Sequence, residues 1–170
     1  MAEPLFNRLC LVGIGLIGSS IARVAKKRGD IAKTIVVTTR RAETLQRVRE
    51  LGIADVVEAD AARAVEGCDG VIFCIPVGAY ADAMRHIAPH LAPGAVLTDV
   101  GSTKGSVVRD LAPLMPAGVH LIPAHPMAGT EHSGPESGFA SLFDNRWLLI
   151  TPVEGGAAEP VAAVQAFWQA

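Results

Sequence analysis

Three glycines near the N-terminus, Gly13, Gly15 and Gly18, have a spacing suited to binding a diphosphate. In the pattern GxGxxG the first glycine allows a tight turn, the second lets the backbone approach a pyrophosphate, and the third lets a helix pack closely on a strand. Here the pattern follows an apolar segment and opens a stretch with helical spacing of apolar residues. It therefore predicts a dinucleotide site at a helix N-terminus, although a merely tight turn is the structural alternative. The residues expected to line it are Gly13, Gly15, Leu16, Ile17 and Gly18.

The end of the second predicted strand bears on which dinucleotide is bound. An NAD site usually has a carboxylate about 20 positions after the glycines, to hold the ribose 2′-hydroxyl. This chain has Thr39, Arg40 and Arg41 there. Two guanidiniums can pair with a 2′-phosphate, so NADP is favoured over NAD. The alternative is that both arginines are solvated at a helix start.

Two polar segments follow later strands, DVGSTKG at residues 99–105 and AHPMAGTEHSG at residues 124–134. His125 precedes a proline just past a predicted strand, where it is placed for acid–base chemistry. His132 is its rival as the base. Ser102 is expected to cap the following helix, and Lys104 is expected to be a surface charge. A metal cluster of histidines with Glu131 fits no trusted zinc spacing.

The elements that must position these residues alternate between strands and helices. β-Strands are predicted near residues 8–13, 34–39, 55–58, 69–75, 95–100, 119–123 and 146–151, with a polar loop at 124–139. Amphipathic helices are predicted between most of them. The pattern predicts an α/β fold of the Rossmann type, doubly wound, with a mostly parallel sheet and helices on both faces. Ile75 and Pro76 would form an apolar lip for the cofactor at the end of the central strand.

The bulk composition argues against several classes of partner. With 15 basic and 17 acidic residues the formal net charge is −2, which gives no general reason to expect nucleic acid or a membrane surface. The three cysteines have no CxxC spacing, so we expect small buried side chains rather than a disulfide or metal site. No signal-like segment is apparent, and we expect a cytoplasmic protein.

The combination of GIGLIGSS, DVGSTKG and HPMAGTEHSG resembles the prephenate/arogenate (cyclohexadienyl) dehydrogenase family over nearly the whole chain. The resemblance implies oxidative decarboxylation of prephenate or arogenate in tyrosine biosynthesis, with hydride transfer to NADP or NAD. It implies that His125 accepts the proton of the substrate's ring hydroxyl, that Ser102 orients it, and that Thr130 and Glu131 line the substrate pocket. The family commonly has Asp where this chain has Thr39, which supports NADP.

The resemblance also implies a domain organisation. Residues 1–156 would form the dinucleotide-binding domain, and residues 157–170 would begin a helix leading to a helical domain that is absent from this sequence. In the family that domain completes the substrate site and forms a homodimer, so this chain alone is expected to bind cofactor but turn over poorly. Two other readings stay open. One is another small NAD(P)-dependent reductase, of the β-hydroxyacid dehydrogenase or pyrroline-carboxylate type; the other is a non-catalytic dinucleotide-binding regulatory domain.

Overall fold

The computed structural model describes residues 3–170. The strands in this part of the chain are β1 (Phe6–Val12), β2 (Ala32–Thr38), β3 (Val56–Glu58), β4 (Gly70–Phe73), β5 (Val96–Asp99), β6 (His120–Ile122), β7 (Ala124–Pro126) and β8 (Leu148–Ile150). The helices are α1 (Leu16–Arg28), α2 (Ala42–Leu51), α3 (Ala61–Val65), α4 (Tyr80–Ile87), α5 (Lys104–Leu111) and α6 (Ala158–Gln169). Single turns of 3-10 helix, Val77–Ala79, Ala88–His90 and Ala112–Leu114, adjoin α4 and α5.

Strands β1 to β6 form one sheet in the order β3-β2-β1-β4-β5-β6, and every pairing in it is parallel. This is the order of a Rossmann fold, and it confirms the predicted architecture. The chain winds from β1 toward one edge and from β4 toward the other. The order therefore reverses between these two strands, and a crevice for a ligand opens at their carboxyl ends.

Apolar side chains on the two faces of the sheet pack against two separate layers of helices. Successive residues of a strand point to opposite faces; Leu9 and Leu11 of β1 pack with α1, α2 and the end of α6. Cys10 and Val12 pack with α3, α4 and α5 on the other side. Both faces of the central strands are covered, which explains why these strands are almost continuously hydrophobic.

A second, two-stranded sheet is an addition that the sequence did not reveal. The predicted last strand at 146–151 is confirmed as β8, but the predicted loop at 124–139 is partly wrong, because its first three residues form β7. Strands β7 and β8 pair in antiparallel fashion, with His125 opposite Leu149. The inner face of this ribbon packs on Val164 of α6. Its outer face leaves Trp147 79% exposed. Strand β7 was not predicted, because its three residues lie in a polar, Gly-rich segment and show too weak a periodicity to be recognised.

Helix α6 packs within this domain. Phe167 is buried in the core shared with α1, and its ring lies edge-on to that of Phe6, with the centroids 6.2 Å apart. Trp168 makes a similar contact with Phe143 at 5.2 Å. These aromatic contacts attach α6 to the same face of the sheet as α1.

Across residues 3–170, every helix is too short or too polar to span a lipid bilayer. All three cysteines are free; Cys10 and Cys68 are buried, and Cys74 is half-buried.

Candidate active site

Gly13, the first glycine of the turn, is held tightly between the ends of β2 and β4. Gly13 donates its N–H to the carbonyl of Thr38 at 2.8 Å and has a φ of +97°, a conformation that a side chain disfavours. A Cβ at Gly13 would lie 2.6 Å from Ile75 Cγ2 and 2.7 Å from the carbonyl oxygen of Cys74. The turn therefore needs glycine for both its backbone angle and its contact with the end of β4.

The second and third glycines prepare the N-terminus of α1 for an anion. The first helical hydrogen bond runs from Ser19 N–H to the Gly15 carbonyl at 2.9 Å, so the N–H groups of Leu16, Ile17 and Gly18 precede the helical ladder. A Cβ at Gly15 would meet no atom within 4 Å, which leaves open space beside these donors. A Cβ at Gly18 would lie 2.7 Å from the Gly13 carbonyl. Open space, backbone donors and a helix dipole fit a diphosphate.

The residues predicted to select the cofactor follow β2, beside the glycine turn. Thr39 is half-buried, whereas Arg40 and Arg41 are exposed. The Arg41 guanidinium lies 3.5 Å from the carboxylate of Glu43, and both side chains are largely in solvent. Such a pair is weak and leaves the guanidinium available to a stronger anion.

The predicted lip also lies at this crevice. Ile75 is half-buried and Pro76 is exposed. Ile75 lies against the glycine turn, so close that a Cβ at Gly13 would collide with it. The structure therefore brings the two ends of the predicted cofactor site together at the carboxyl ends of β1 and β4.

A buried carboxylate organises the neighbouring end of β5. Asp99 is fully buried, and its Oδ2 accepts hydrogen bonds from Gly101 N–H at 2.8 Å and from the Tyr80 hydroxyl at 3.1 Å. Lys104 Nζ contacts both oxygens of the carboxylate, at 2.6 and 2.5 Å. Ala124 N–H donates to Oδ1 at 3.1 Å. One side chain thus links the ends of β5, α4, α5 and β7.

Sequence reasoning missed this cluster. Lys104 was expected at the surface, and that prediction is wrong, because its side chain is only 13% exposed. Burial lowers the pKa of Lys104, while its hydrogen bond and charge interaction with Asp99 oppose the change. Burial, followed by the charge of Asp99, raises the pKa of Tyr80 well above its ordinary value, so its hydroxyl stays a donor. A polar Asp at the end of an otherwise buried strand was the signal that could have revealed the cluster.

His125 lies in β7, where its ring is anchored to the end of β5. Its Nδ1 is 3.2 Å from the carbonyl oxygen of Val100. A carbonyl can only accept, so Nδ1 must carry the proton in the neutral ring, and Nε2 then holds the free lone pair. The half-buried ring therefore has the form that a general base requires.

Ser102 is exposed and follows Val100 by two positions. The prediction that it caps the next helix is wrong, because α5 begins at Lys104 and the residue before it is Thr103, which makes no side-chain cap. The reason is local: the Asp99 carboxylate engages the N–H of Gly101 and the side chain of Lys104, so a turn occupies residues 99–103. Ser102 stays available at the rim of the candidate site.

The β7–β8 loop (residues 127–147) begins with the predicted substrate residues. Thr130, Glu131 and His132 are all exposed. His132 N–H donates to Thr130 Oγ1 at 3.2 Å, and the His132 ring lies 3.4 Å from the Glu131 carboxylate. In contrast to His125, His132 is bound only to its neighbours in an exposed turn. No cluster of three potential metal ligands occurs among residues 3–170.

The second half of the β7–β8 loop is fastened to α1 and α2. Arg23 donates to the Pro135 carbonyl at 2.9 Å, and Phe139 N–H donates to Ser20 Oγ at 3.0 Å. Arg47 of α2 pairs with Glu136 at 2.7 Å. The loop thereby joins the helix of the glycine turn to the strand of His125.

A groove lies between α1, α6 and residues 140–146, apart from the predicted site. It is lined mainly by apolar side chains such as Ile21, Phe143 and Trp168. Neither the glycine turn nor His125 contributes to it.

The sheet order and the glycine turn at the switch point define a nucleotide-binding α/β domain. The family model described as "Prephenate dehydrogenase, nucleotide-binding domain" matches residues 21–170. A cyclohexadienyl dehydrogenase from Zymomonas mobilis is 34% identical over 165 residues, which are 96% of this chain and 55% of that protein. The chain belongs to the prephenate dehydrogenase family, in which it matches the nucleotide-binding domain.

Solved structures agree with this assignment. Prephenate dehydrogenase from A. aeolicus, in complex with hydroxyphenyl propionate and NAD+, superposes with a TM-score of 0.86 at 25% identity, covering 96% of this chain and 56% of that one. Synechocystis arogenate dehydrogenase gives a TM-score of 0.86 at 26% identity, covering 95% and 56%. The chain spans a little over half the length of these relatives.

Proposed function

We propose that the protein containing this chain is an NAD(P)-dependent dehydrogenase that oxidatively decarboxylates prephenate or arogenate in tyrosine biosynthesis. The single observation that carries the proposal is the anchored His125, whose Nδ1 faces the Val100 carbonyl at 3.2 Å. That contact leaves Nε2 unprotonated at the edge of the sheet where the glycine turn opens. Family membership supplies the substrate class.

The dinucleotide would be held by the glycine turn and the first turn of α1, with Ile75 and Pro76 beside it. When bound, its nicotinamide ring supplies the acceptor for the hydride that leaves C4 of the substrate ring. His125 Nε2 accepts the proton of the C4 hydroxyl as the C=O bond forms. The bond between the ring and its carboxylate then breaks, CO2 leaves, and its electron pair makes the ring aromatic. The proton returns from His125 to the phenolate oxygen.

Three exposed residues would complete this chain's part of the substrate site. Ser102 follows the Val100 anchor by two positions, which supports a role in orienting the ring hydroxyl or His125. Thr130 and Glu131 begin the β7–β8 loop beside His125 and offer a hydroxyl and a carboxylate to the polar groups of the substrate. Each remains exposed in this chain and can therefore meet a ligand.

We propose NADP as the preferred cofactor. Thr39 brings no negative charge against a 2′-phosphate, and the exposed guanidiniums of Arg40 and Arg41 follow directly. A charge-assisted hydrogen bond contributes about 1.5–3 kcal/mol, which corresponds to a preference of about ten- to a hundredfold. NAD+ in the A. aeolicus structure belongs to a relative with 25% identity.

The length of the relatives supports a proposal about domain organisation. Residues 1–156 would be the dinucleotide-binding domain, and the helix from residue 157 would lead into a helical domain that completes the substrate site and forms a homodimer. The free cysteines support a reducing, cytoplasmic setting.

Calorimetric titration of this chain with NADP+ and with NAD+ tests the cofactor assignment. We expect tighter binding of NADP+, and loss of that preference in the Arg40→Ser/Arg41→Ser variant. Arg85→Ser is the matched control, because Arg85 is an exposed, ion-paired arginine of α4 on the other face of the sheet. Equal affinities, or tighter NAD+ binding, would assign the two arginines to the solvated surface.

The activity itself is tested in the full-length natural protein that contains this chain. Prephenate and arogenate are supplied separately, and both reduced cofactor and released CO2 are measured. Stoichiometric formation of the two products from either substrate supports the proposal. A protein that binds the dinucleotide but oxidises neither substrate would be a regulatory nucleotide-binding domain instead.

A further inference from the structure

The residue before His125 is held on both of its backbone polar groups by one buried ion pair. Ala124 N–H donates to Asp99 Oδ1 at 3.1 Å, and the Ala124 carbonyl accepts from Lys104 Nζ at 2.6 Å. A short strand gains little rigidity from its own three residues. The ion pair therefore determines where the strand carrying His125 begins.

The same pair fixes the group to which the His125 ring is anchored. Val100 follows Asp99 directly, and Gly101 N–H folds back to Asp99 Oδ2 at 2.8 Å. Val100, whose carbonyl faces His125 Nδ1 at 3.2 Å, thus lies between Asp99 and Gly101, and the Asp99 carboxylate binds the N–H of Gly101. The two residues of this contact are therefore each next to a residue that the Asp99 carboxylate binds: His125 follows Ala124, and Val100 precedes Gly101.

The pair is poorly explained as a simple source of stability. Asp99 is fully buried and Lys104 is 13% exposed, so both charges lose most of their hydration. The loss of hydration can cancel the attraction between such charges, and apolar replacements of similar volume are often as stable. The hydrogen bonds of the pair, by contrast, require one arrangement of the backbone at Gly101 and Ala124, and Ala124 directly precedes His125.

We propose that Asp99 and Lys104 are positioning residues, which hold the Val100 carbonyl and the His125 ring together and thereby fix the neutral histidine as its Nδ1–H tautomer, with Nε2 open. The catalytic consequence rests on the function proposed above. The tautomer itself does not, because it follows from the contacts of this chain alone.

Nitrogen-15 NMR of the histidine ring tests the tautomer directly in this chain, at a pH where the ring is neutral. We expect His125 Nδ1 to be protonated and Nε2 unprotonated in the wild type. In Lys104→Met, and in Asp99→Asn/Lys104→Met, the two nitrogens should move toward the averaged shifts of a mixed population. The double variant leaves no unpaired charge in the interior, so it keeps the test available if the single variant fails to fold.

Lys26→Met is the matched control. It removes a lysine–aspartate ion pair of the same length, 2.6 Å to Asp55, at an exposed place on α1. We expect it to leave the His125 tautomer unchanged. A pure Nδ1–H tautomer in the folded double variant would overturn the proposal, since the anchor would then persist without the pair.

Kinetics of the full-length natural protein separate this proposal from the function itself. Misplacement of a reacting group by about 1 Å can cost about a hundredfold in rate, so we expect the double variant to lower kcat by about that factor while the cofactor KM stays within about twofold. A mixed tautomer with unchanged kcat would support the positioning role and count against His125 as the base. A fixed tautomer overturns the positioning role whatever the rate.

Discussion

Two regions lie at neighbouring strand ends but are built in different ways: the glycine turn (residues 13–18) and the His125 edge (Ser102, His125, Thr130 and Glu131). The turn consists of backbone, held so closely that a Cβ at Gly13 would lie 2.6 Å from Ile75. The His125 edge depends on side chains and on contacts between distant segments, such as the 3.2 Å contact between His125 and Val100. Beyond His125 its predicted members are exposed, and Trp147 on the same ribbon is 79% exposed.

The difference suits two separate tasks, cofactor binding at the glycine turn and substrate chemistry at the His125 edge. A diphosphate has the same shape in every dinucleotide, and rigid backbone donors at a helix N-terminus suit it. The proposed substrate, a ring with a hydroxyl and carboxylates, would instead need specific side chains. Substitutions at the crowded glycines of the turn should therefore destabilise the fold, whereas substitutions at the His125 edge should leave the fold stable and lower the activity.

The largest effect should follow from replacing His125, which separates chemistry from cofactor binding. His125→Asn can still donate to the Val100 carbonyl but offers no basic nitrogen, so kcat of the full-length natural protein should fall by about 10²–10⁴-fold. Cofactor affinity, measured by calorimetry, should change little. His132→Asn is the control, because His132 contacts only its own turn; a loss of similar size there would move the base to His132.

The next effect sharpens the comparison within the turn itself. A Cβ at Gly15 meets nothing within 4 Å, so Gly15→Ala should keep the wild-type Tm yet lower NADP+ affinity more than about tenfold, because the methyl occupies the diphosphate space. Gly13→Ala should instead destabilise the fold, since a positive φ and a crowded Cβ each typically cost about 1–3 kcal/mol. Normal cofactor affinity in Gly15→Ala would place the diphosphate elsewhere.

Sequence reasoning succeeded where the structure is determined by local pattern. The amphipathic helices predicted between the strands include α1 and α2, and each of them ends at a left-handed glycine, Gly29 and Gly52. The alternation of strands and helices was enough for the parallel Rossmann order, since crossover connections have one hand and leave few alternatives. The glycine turn lies at the switch point where its spacing predicts it.

The sequence could not reveal the contacts that join distant segments around His125. The β7–β8 pairing and the hydrogen bond between Asp99 and Ala124, 25 residues apart, leave no periodic trace. Ser102 fitted a helix cap by residue type, and the prediction failed because the Asp99 carboxylate shaped the turn before α5. Lys104 was expected in solvent although its partner Asp99 lies only five residues away, because residue type alone does not show that the end of β5 is buried.

The fastening of the β7–β8 loop to α1 gives a smaller effect, which tests whether the two regions are mechanically joined. A Cβ at Gly138 would collide with Ser19 Oγ and lie 2.7 Å from Ser20 N. Gly138→Ala should therefore lower the free energy of unfolding by about 1–3 kcal/mol, as overpacking does, and should weaken cofactor binding through α1. Gly129→Ala, in the same loop, is the control, because its Cβ meets nothing within 4 Å. Equal stability of the two variants, measured by urea unfolding, would show that the loop is free to move from α1.

The smallest effect should come from an ion pair that belongs to neither region. Asp55 accepts from Lys26 at 2.6 Å and from Ile35 N–H at 2.8 Å. Burial alone raises the pKa of Asp55, but these hydrogen bonds outweigh it, and the pKa lies below its ordinary value.

A carboxyl whose pKa is lower in the folded state contributes stability above its unfolded pKa, about 3.9, and that contribution is lost as the pH falls through the folded value. Because the two side chains are 41% and 36% exposed, solvent screens the pair and its contribution is at most about 1 kcal/mol. Asp55→Asn should therefore be slightly less stable than the wild type in urea at pH 7, and the difference should shrink progressively as the pH falls below about 4. NADP+ affinity at neutral pH should stay the same.

Two outcomes would contradict this prediction. A stability deficit that persisted at low pH would mean that Asp55 acts through its hydrogen-bond geometry rather than its charge. A change in cofactor affinity would mean that the glycine turn is less self-contained than its packing indicates.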